Sequence, residues 1–319
     1  MKCLLPPDLQ RPLDEFINWR ENRKRKYRFK LEQPLFHYTD SDGLMGIIKS
    51  DALWFTPINY LNDPSEFHFS YDLAVEELKK AQPQSASDPL AEFFLQRMLG
   101  GLDECLRAFS KYVGSFSRDG DDLGQWRSYA ENGRGFCLGI SECVFAESDL
   151  DENPLKNAVP VAIRYDAELA ELELQRGVQK ALELLRRKEI RETCGQTPNG
   201  WKHFLCQLSV AVAHWIYFIS VAFKHPAYAA EREVRLLLIN EAERLQPHVR
   251  VRTRNGEIVP YIPWPFQPSL REKGVLQLIR IGPSAPQSAE NAVTELLKSC
   301  RMASPPVVIC RSQVPYRVI

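Results

Sequence analysis

Short alternating or apolar runs recur from residue 35 onward, are bounded by turn residues and predict β-strands. These runs are 35–38, 52–55, 112–117, 134–140, 158–166, 233–240, 274–282 and 305–310. Two further alternating runs flank Asn255-Gly256, which predicts a β-hairpin across that turn. Longer stretches with apolar residues on one helical face predict helices. They are 8–30, 42–50, 65–80, 89–110, 123–133, 167–192, 201–223 and 287–300.

The order of these elements predicts an α+β fold. Strands and helices interleave without regular βαβ order, and several strands are adjacent or joined by a hairpin. We therefore predict a mixed, mostly antiparallel sheet with flanking helices and helical insertions. The predicted organisation is an N-terminal helical basic extension, 1–33, and a single α+β domain, 34–319, with insertions at about 65–110 and 167–223.

The segment from Leu205 to Phe223 is almost free of charge and nearly long enough to cross a bilayer. It lies in the middle of the chain and contains Gln207, Ser209 and His214. These features favour the buried central helix of a core, with a membrane-spanning helix as the alternative. The N-terminus has no apolar run of signal-peptide length, so we expect a cytoplasmic protein.

Composition and motifs exclude several classes of function. Lys plus Arg equals Asp plus Glu at 41 each, so no overall charge attracts nucleic acid or an anionic membrane. The eight cysteines include no CxxC pair, which favours reduced thiols and no metal site. The chain also has no P-loop and no GxGxxG after a strand.

Five blocks carry a resemblance to a known family. They are "FHYT", "LNDPSEF", "SFSRDGDDLGQWRSYAENG", "FKHPAYAAEREVRLLL" and a tail with Ser312, Pro315, Tyr316 and Arg317. In this order they resemble the bacterial domain-of-unknown-function family 2971, over roughly residues 34–318. The family name implies no activity.

A weaker likeness implies an activity. A strand ending in His-Tyr-Thr, then the helix "GLMGIIKSDAL" and an apolar strand, is similar to the opening of ADP-ribosyltransferase-like domains. In that group the first strand lines the nicotinamide end of NAD, an aromatic ring stacks on the nicotinamide, and a late strand supplies a glutamate. A carboxylate suits this reaction because breaking the nicotinamide–ribose bond passes through an oxocarbenium-like transition state.

The likeness assigns roles near the first strand. His37 is expected to bind a ribose hydroxyl, and Tyr38 or Trp54 to stack on the ring, with Tyr60 as another candidate. Thr39 completes the expected NAD-binding residues of this region.

The late strand would supply the catalytic carboxylate. Glu233 is the first choice, and Glu231 lies on the same side if the strand already extends that far. Arg235, on the same face, is expected to bind phosphate or to pair with Glu233.

Each assignment has an ordinary structural alternative. His37 is interpreted equally well as a half-buried histidine that bonds a backbone carbonyl. Tyr38 and Trp54 are of residue types that are more often core residues than a platform for a cofactor. Glu231, Glu233 and Arg235 are also typical of an ion pair on one face of a strand.

Three functions follow, in order. The first is NAD-dependent ADP-ribosyl transfer to an unknown macromolecular acceptor, protein or nucleic acid, or NAD hydrolysis. Its expected setting is bacterial toxin–antitoxin systems or phage defence, with a partner protein or antitoxin. The second is a non-catalytic binding or sensor module for a protein or nucleic-acid partner. The third is a metal-independent hydrolase or nuclease that uses His37, Asp63 and Glu66.

Overall fold

The computed structural model describes residues 5–30, 32–61, 65–85, 87–107, 109–142, 158–196, 200–241, 245–254, 256–266, 274–300 and 306–317. The chain forms two compact units, each built from three segments. Unit 1 comprises Met1–Tyr27, Asn62–Phe109 and Arg164–Ala227; unit 2 comprises Arg28–Leu61, Ser110–Ile163 and Tyr228–Ile319. The N-terminal helix and the two predicted helical insertions thus fall together in unit 1.

The helices of the described residues are α1 (Pro7–Lys24), α2 (Ser41–Ser50), α3 (Ser65–Ser85), α4 (Pro89–Arg107), α5 (Leu123–Tyr129), α6 (Ala167–Leu185), α7 (Lys188–Gln196), α8 (Gly200–Ala222) and α9 (Ala289–Ser299). The strands are β1 (Leu35–Thr39), β2 (Ala52–Pro57), β3 (Phe109–Ser117), β4 (Phe136–Ile140), β5 (Val159–Ala162), β6 (Glu233–Glu241), β7 (Arg250–Arg254), β8 (Glu257–Pro265), β9 (Leu276–Ile281) and β10 (Val308–Arg311).

Helix α8 is the centre of unit 1. It packs against α1, α3, α4, α6 and α7, and 78% of its most apolar stretch is buried. Gly177 of α6 lets the Trp215 ring approach closely, since a Cβ there would lie 2.2 Å from that ring. The Trp215 indole N–H donates to the Glu173 carbonyl at 2.8 Å. This burial confirms the prediction of a core helix.

Unit 1 also buries a charged side chain, Glu173, whose charge is matched by two arginines. Glu173 is 2% exposed and receives hydrogen bonds from Arg23 and Arg176. Burial raises the pKa of Glu173, but the two guanidinium groups more than offset this and lower it. Lys24 is also packed, and burial lowers its pKa to about 8. The basic run of α1 is therefore partly structural.

Unit 2 contains the sheet. Its strand order is β10-β9-β4-β1-β3-β2-β8-β7, and β6 pairs with both β3 and β5. Only β9 and β10 are parallel among the described pairs with a register. The predicted hairpin is confirmed, because β7 and β8 pair antiparallel from Arg254 and Glu257 outward. These observations confirm the α+β class and the mixed, mostly antiparallel sheet.

Two predicted helices differ from those of the structure. The stretch 167–192 is divided between α6 and α7. The stretch 8–30 leaves the α-helix at Lys24 and continues as a 3-10 turn, Arg25–Tyr27. After this turn, Arg28 forms a β-bridge with Val161 of β5. Sheet pairing therefore replaces the additional helix that periodicity alone predicted.

Candidate functional site

Strands β1 and β3 touch at one point and then separate. Their described pairing joins Phe36 to Ser117, whereas β1 pairs along its whole length with β4. Strand β3 pairs with β2 at Val113 and Tyr112. The sheet therefore opens into a fork between Ser117 and Val113, and the His37 side chain lies at this fork.

His37 is half-buried and bonded to the backbone of β3. Its Nδ1 lies 3.0 Å from the Ser115 carbonyl oxygen, which only accepts, so Nδ1 carries the proton and donates. Burial lowers the pKa of His37, and the nearby Arg252 lowers it further. The ring is therefore neutral at pH 7 and its Nε2 is an acceptor.

Arg252 is near enough to His37 to lower its pKa, and it also lies over two aromatic rings. Trp54 and Tyr261 are tilted by 37° with ring centroids 4.6 Å apart. The Arg252 guanidinium lies over Trp54 at 4.8 Å and over Tyr261 at 5.8 Å. We call His37, Trp54, Thr56, Arg252 and Tyr261 the fork site.

Arg252 has few partners for a packed arginine. One NH group donates to the Thr56 hydroxyl at 3.1 Å. Its Nε is buried and has no hydrogen-bond partner among the described residues. Burial lowers the pKa of Arg252, and the neighbouring Arg254 lowers it further. A buried donor without an acceptor is uncommon in proteins and costs stability.

Helix α2 holds the fork site from one side. Asp40 caps it by accepting from the Gly43 N–H at 2.6 Å. A Cβ at Gly43 would lie 1.9 Å from the Thr39 hydroxyl, and one at Gly46 1.9 Å from the Trp54 ring. Both glycines of "GLMG" thus allow α2 to lie directly on β1 and β2. Thr39 is buried beneath this helix.

Tyr38 points away from His37, as expected for adjacent residues in a strand. Its ring packs edge-on against Trp126 with centroids 4.9 Å apart, whereas the His37 ring lies against Phe116. The Tyr38 hydroxyl donates to the Asp119 carbonyl at 3.0 Å and accepts from the Asp122 N–H at 2.9 Å. Burial raises its pKa. The structure thus separates these two neighbours.

The loop after β3 is braced by Asp121. This carboxylate accepts from the Trp126 indole N–H at 2.8 Å, the Ser312 hydroxyl at 2.5 Å and the Gln313 N–H at 2.8 Å. The Trp-x-x-Tyr helix and the Ser-x-x-Pro-Tyr-Arg tail therefore meet at one residue. Their part in the described structure is to fix this loop.

Glu231 lies beside this braced loop, before β6 begins. Its carboxylate accepts from the Tyr129 hydroxyl at 2.6 Å, and its carbonyl accepts from the Ser117 hydroxyl at 2.9 Å. It ends a 3-10 turn, and Arg232 then has φ +47. The backbone is thus not extended at this point, and the alternation that would put Glu231 and Glu233 on one side of a strand does not apply.

Glu233 and Arg235 bind each other. The guanidinium donates to both carboxylate oxygens, at 2.7 and 2.9 Å, and the side chains are only 7% and 1% exposed. Val234 and Leu236 belong to the apolar core, so the pair points to the other face of β6. Of the two roles expected for Arg235, the structure contains the ion pair.

Strand β3 lies between the histidine strand and the glutamate strand. The Ser115 carbonyl faces β1, whereas the Arg118 N–H donates to the Arg232 carbonyl at 3.2 Å. Backbone groups of an antiparallel strand alternate between its edges, so β1 and β6 flank β3 on opposite sides. Two strand spacings separate β1 and β6 by about 10 Å.

Other predicted residues lie apart or are not described. Tyr60 is exposed in a 3-10 turn, and its carbonyl accepts from Arg254. Asp63 and the Glu66 side chain lie outside the described residues. Among the residues that are described, no group of three or more His, Cys, Asp or Glu is placed to hold a metal.

Sequence reasoning missed Arg252, Tyr261 and Ser115. A signal for the first was present, since "RVRTR" alternates arginine along a strand predicted to be part of a hairpin. The carbonyl of Ser115 had none, because its exposure depends on where two strands separate.

Comparison with known proteins gives one partial family match and no activity. Residues 125–236 match the model described as "Protein of unknown function (DUF2971)". Neither the curated proteins nor the solved structures gave a match. The matched segment contains the Trp126 helix and the Glu231–Arg235 stretch, two of the blocks that predict this family. The comparison thus shows a match to the DUF2971 family of proteins of unknown function, limited to residues 125–236.

Proposed function

We propose that the protein cleaves NAD at the fork site and transfers ADP-ribose to a macromolecule, or to water. The observation that carries this proposal is the neutral His37 ring, fixed on the Ser115 carbonyl beside the Arg252–Trp54 stack. It supports a dinucleotide substrate because Arg252 links three different chemical groups: the imidazole of His37, its own guanidinium and the aromatic ring of Trp54.

Each group suits one part of NAD. The Nε2 atom of neutral His37 accepts a hydrogen bond from a ribose hydroxyl. Trp54 and Tyr261 are only half-buried and present aromatic faces to a flat ring. The guanidinium of Arg252 forms no ion pair among the described residues, and a phosphate group would supply a negatively charged partner.

The reaction breaks the bond between ribose C1′ and the nicotinamide nitrogen. The electron pair of that bond leaves with nicotinamide, and positive charge develops on the ribose ring. A nucleophile from the acceptor, or water, then bonds to C1′ and loses its proton. A carboxylate near the ribose stabilises the developing charge.

Glu231 is the better candidate for this carboxylate. Both oxygens of Glu233 are bound by Arg235 in a nearly inaccessible pair. Glu231 is half-buried and its carboxylate is oriented by Tyr129. Glu231 bonds Ser117 of β3, and His37 bonds Ser115 of the same strand, so a ribose lying over β3 would meet both groups. Glu233 then acts by holding β6 in place.

The test is release of nicotinamide by the purified chain, measured with NAD alone and with bacterial lysate as a source of acceptors. We expect His37→Ala and Glu231→Gln to lower the rate by about 100-fold or more. Glu257→Gln, an exposed change in unit 2, is the matched control. Absence of release by the unmodified chain, or full activity of both Glu231→Gln and Glu233→Gln, would refute the proposal.

A second candidate is a binding or sensor module without catalysis. The closed Glu233–Arg235 pair favours it, since a glutamate so engaged is not available to a substrate. In that case NAD or another nucleotide would bind and remain intact. Calorimetric binding of NAD, lost in Arg252→Leu, together with no nicotinamide release would select this function over the first.

The proposed setting is the bacterial cytoplasm, in phage defence or a toxin–antitoxin pair. It rests on analogy with other ADP-ribosyltransferase-like domains, because fold does not determine biological role.

A further inference from the structure

The β7–β8 hairpin carries a row of arginines on one face. Arg250, Arg252 and Arg254 alternate along β7 and therefore share a side of the sheet. Residues two apart in a strand are separated by about 6.7 Å. This spacing is comparable with that of neighbouring phosphates along an extended single nucleic-acid strand. Strand β7 also ends the described strand order, so its outer edge has no neighbouring strand there.

The arginines of this row have mainly backbone and hydroxyl partners among the described residues, although Asp40 is near enough to Arg252 to act on its pKa. Arg250 donates to the Pro247 and Val249 carbonyls, and Arg254 to the Tyr60 carbonyl. Within the residues that the structure describes, none of the three arginines forms an ion pair. Glu257 stands opposite Arg254 in the register, but no ion pair joins them.

Aromatic rings accompany the arginines. Arg252 stacks on Trp54, and Tyr261 is the cross-strand partner of Arg250. Planar guanidinium and aromatic groups interleaved with positive charge favour unpaired bases, which expose their faces for stacking. An acidic peptide needs the charge but gains nothing from these flat surfaces, and the bases of a duplex are already stacked.

We propose that this arginine row binds single-stranded nucleic acid, with phosphates at Arg250 and Arg254 and a base on the Arg252–Tyr261 surface. The bound strand would then be the acceptor of ADP-ribose, and only this acceptor role rests on the proposed function. The row passes through the fork site, since Arg252, its middle residue, belongs to both.

The experiment measures fluorescence anisotropy of labelled 12-nucleotide oligo-dT and oligo-U with the full chain at several salt concentrations. The double variant Arg250→Glu/Arg254→Glu should weaken binding by about tenfold or more at low salt. It should also reduce the slope of log K against log salt by about 1.4, or 0.7 for each lost phosphate contact. Tyr261→Leu should weaken binding by about tenfold through lost stacking.

The matched control is Lys49→Glu/Lys298→Glu, which makes the same charge change at two exposed sites of unit 2. It should leave binding unchanged. The inference fails if neither oligonucleotide binds, if the control weakens binding as much, or if a duplex of equal length binds as tightly. It also fails if polyglutamate binds as tightly and loses the same affinity, since this would identify an acidic protein partner.

Nicotinamide release from NAD alone, measured on the same preparations, separates the two proposals. Arg250→Glu/Arg254→Glu should retain it, since neither residue belongs to the fork site. Oligonucleotide binding without NAD cleavage supports the arginine row as a nucleic-acid site and refutes the proposed enzyme. NAD cleavage without oligonucleotide binding supports the enzyme and refutes the nucleic-acid site.

Discussion

Arg235 and Arg252 are both packed into unit 2, but their surroundings differ. Arg235 is 1% exposed and both oxygens of Glu233 face it, so its charge is matched by a partner of its own strand. Arg252 has a hydroxyl, two aromatic rings and an unpartnered Nε among the described residues. A pair that is complete contributes to holding the fold. A buried donor left without an acceptor costs stability.

The same contrast separates the neighbours Tyr38 and His37. The Tyr38 hydroxyl uses its donor and its acceptor on the backbone of one loop. His37 uses Nδ1 on the Ser115 carbonyl, and its Nε2 has no hydrogen bond among the described residues. Four changes, ordered by their expected effect on the free energy of unfolding, test the contrast.

The largest effect should come from Arg235→Met. Removal of one partner leaves the Glu233 carboxylate buried without its bidentate donor, and the free energy of unfolding should fall by about 3–5 kcal/mol. Urea denaturation followed by tryptophan fluorescence measures this. The double variant Glu233→Gln/Arg235→Met should recover part of the loss, because it no longer buries a lone charge. Equal losses in the single and double variants would show that the pair is not a unit.

Tyr38→Phe should rank second. It deletes the hydroxyl that bonds Asp119 and Asp122 while keeping the ring against Trp126, and it should cost about 1–3 kcal/mol. The same denaturation assay measures it. Nicotinamide release per folded molecule should stay unchanged, since Tyr38 faces away from the fork site. Loss of turnover in a folded Tyr38→Phe protein would place this ring in the chemistry instead.

The third test is pH. Burial lowers the pKa of His37 from its usual 6.5, so the folded chain takes up this proton less readily than the unfolded chain. The lowered pKa of His37 therefore does not reduce the free energy of unfolding above pH 6.5, and it reduces this free energy as the pH falls below that value. The free energy of unfolding should fall by up to about 1 kcal/mol per pH unit. His37→Gln should remove this part of the dependence between pH 7 and 5.

His214 in unit 1 serves as a comparison for that test. Burial, with Arg20 and Lys24 nearby, lowers its pKa to about 3, so it destabilises the fold over the same acidic range. His214→Gln should flatten the stability profile without affecting nucleotide binding. Were His37→Gln to leave both stability profile and NAD binding intact, the assignment of a neutral, ligand-facing imidazole would be wrong.

The smallest effect on stability should come from Arg252→Leu, within about 0.5 kcal/mol. Burial of this cation without a carboxylate gives little stability to lose. Nucleotide binding, measured by calorimetry, should nonetheless fall by about tenfold or more. Arg252→Lys is the control: it keeps the charge but loses the planar group that stacks on Trp54. A loss of stability as large as that of Arg235→Met would remove the contrast between the two arginines.

The sequence predicts the elements better than their meeting points. Short alternating or apolar runs located the strands around His37, Ser117 and Val234, because strands bury one or both faces in a sheet. The same alternation implies that His37 and Tyr38 point in opposite directions. The pairing of β6 with β3 joins residues more than a hundred positions apart, and no local pattern encodes such a contact.

The sequence also does not reveal which side chains Glu233 and Arg252 contact. "EREVR" is compatible with a catalytic glutamate and with an internal ion pair, and only the distances of 2.7 and 2.9 Å select the latter for Glu233. Arg252 looked like any other arginine of a hairpin. Its interest arises from Trp54, two hundred residues earlier, which the fold brings beneath it.

The alternation of the two units along the chain has a practical consequence. The polypeptide passes between them five times, since each unit takes every second segment. Neither is a contiguous stretch that a pair of primers can isolate, and any fragment ending before residue 227 lacks part of both. On the ribosome, the helical unit cannot be completed until more than two thirds of the chain has been synthesised. Truncation libraries of this protein should therefore give insoluble products, and insertions at the segment junctions are the better way to divide it.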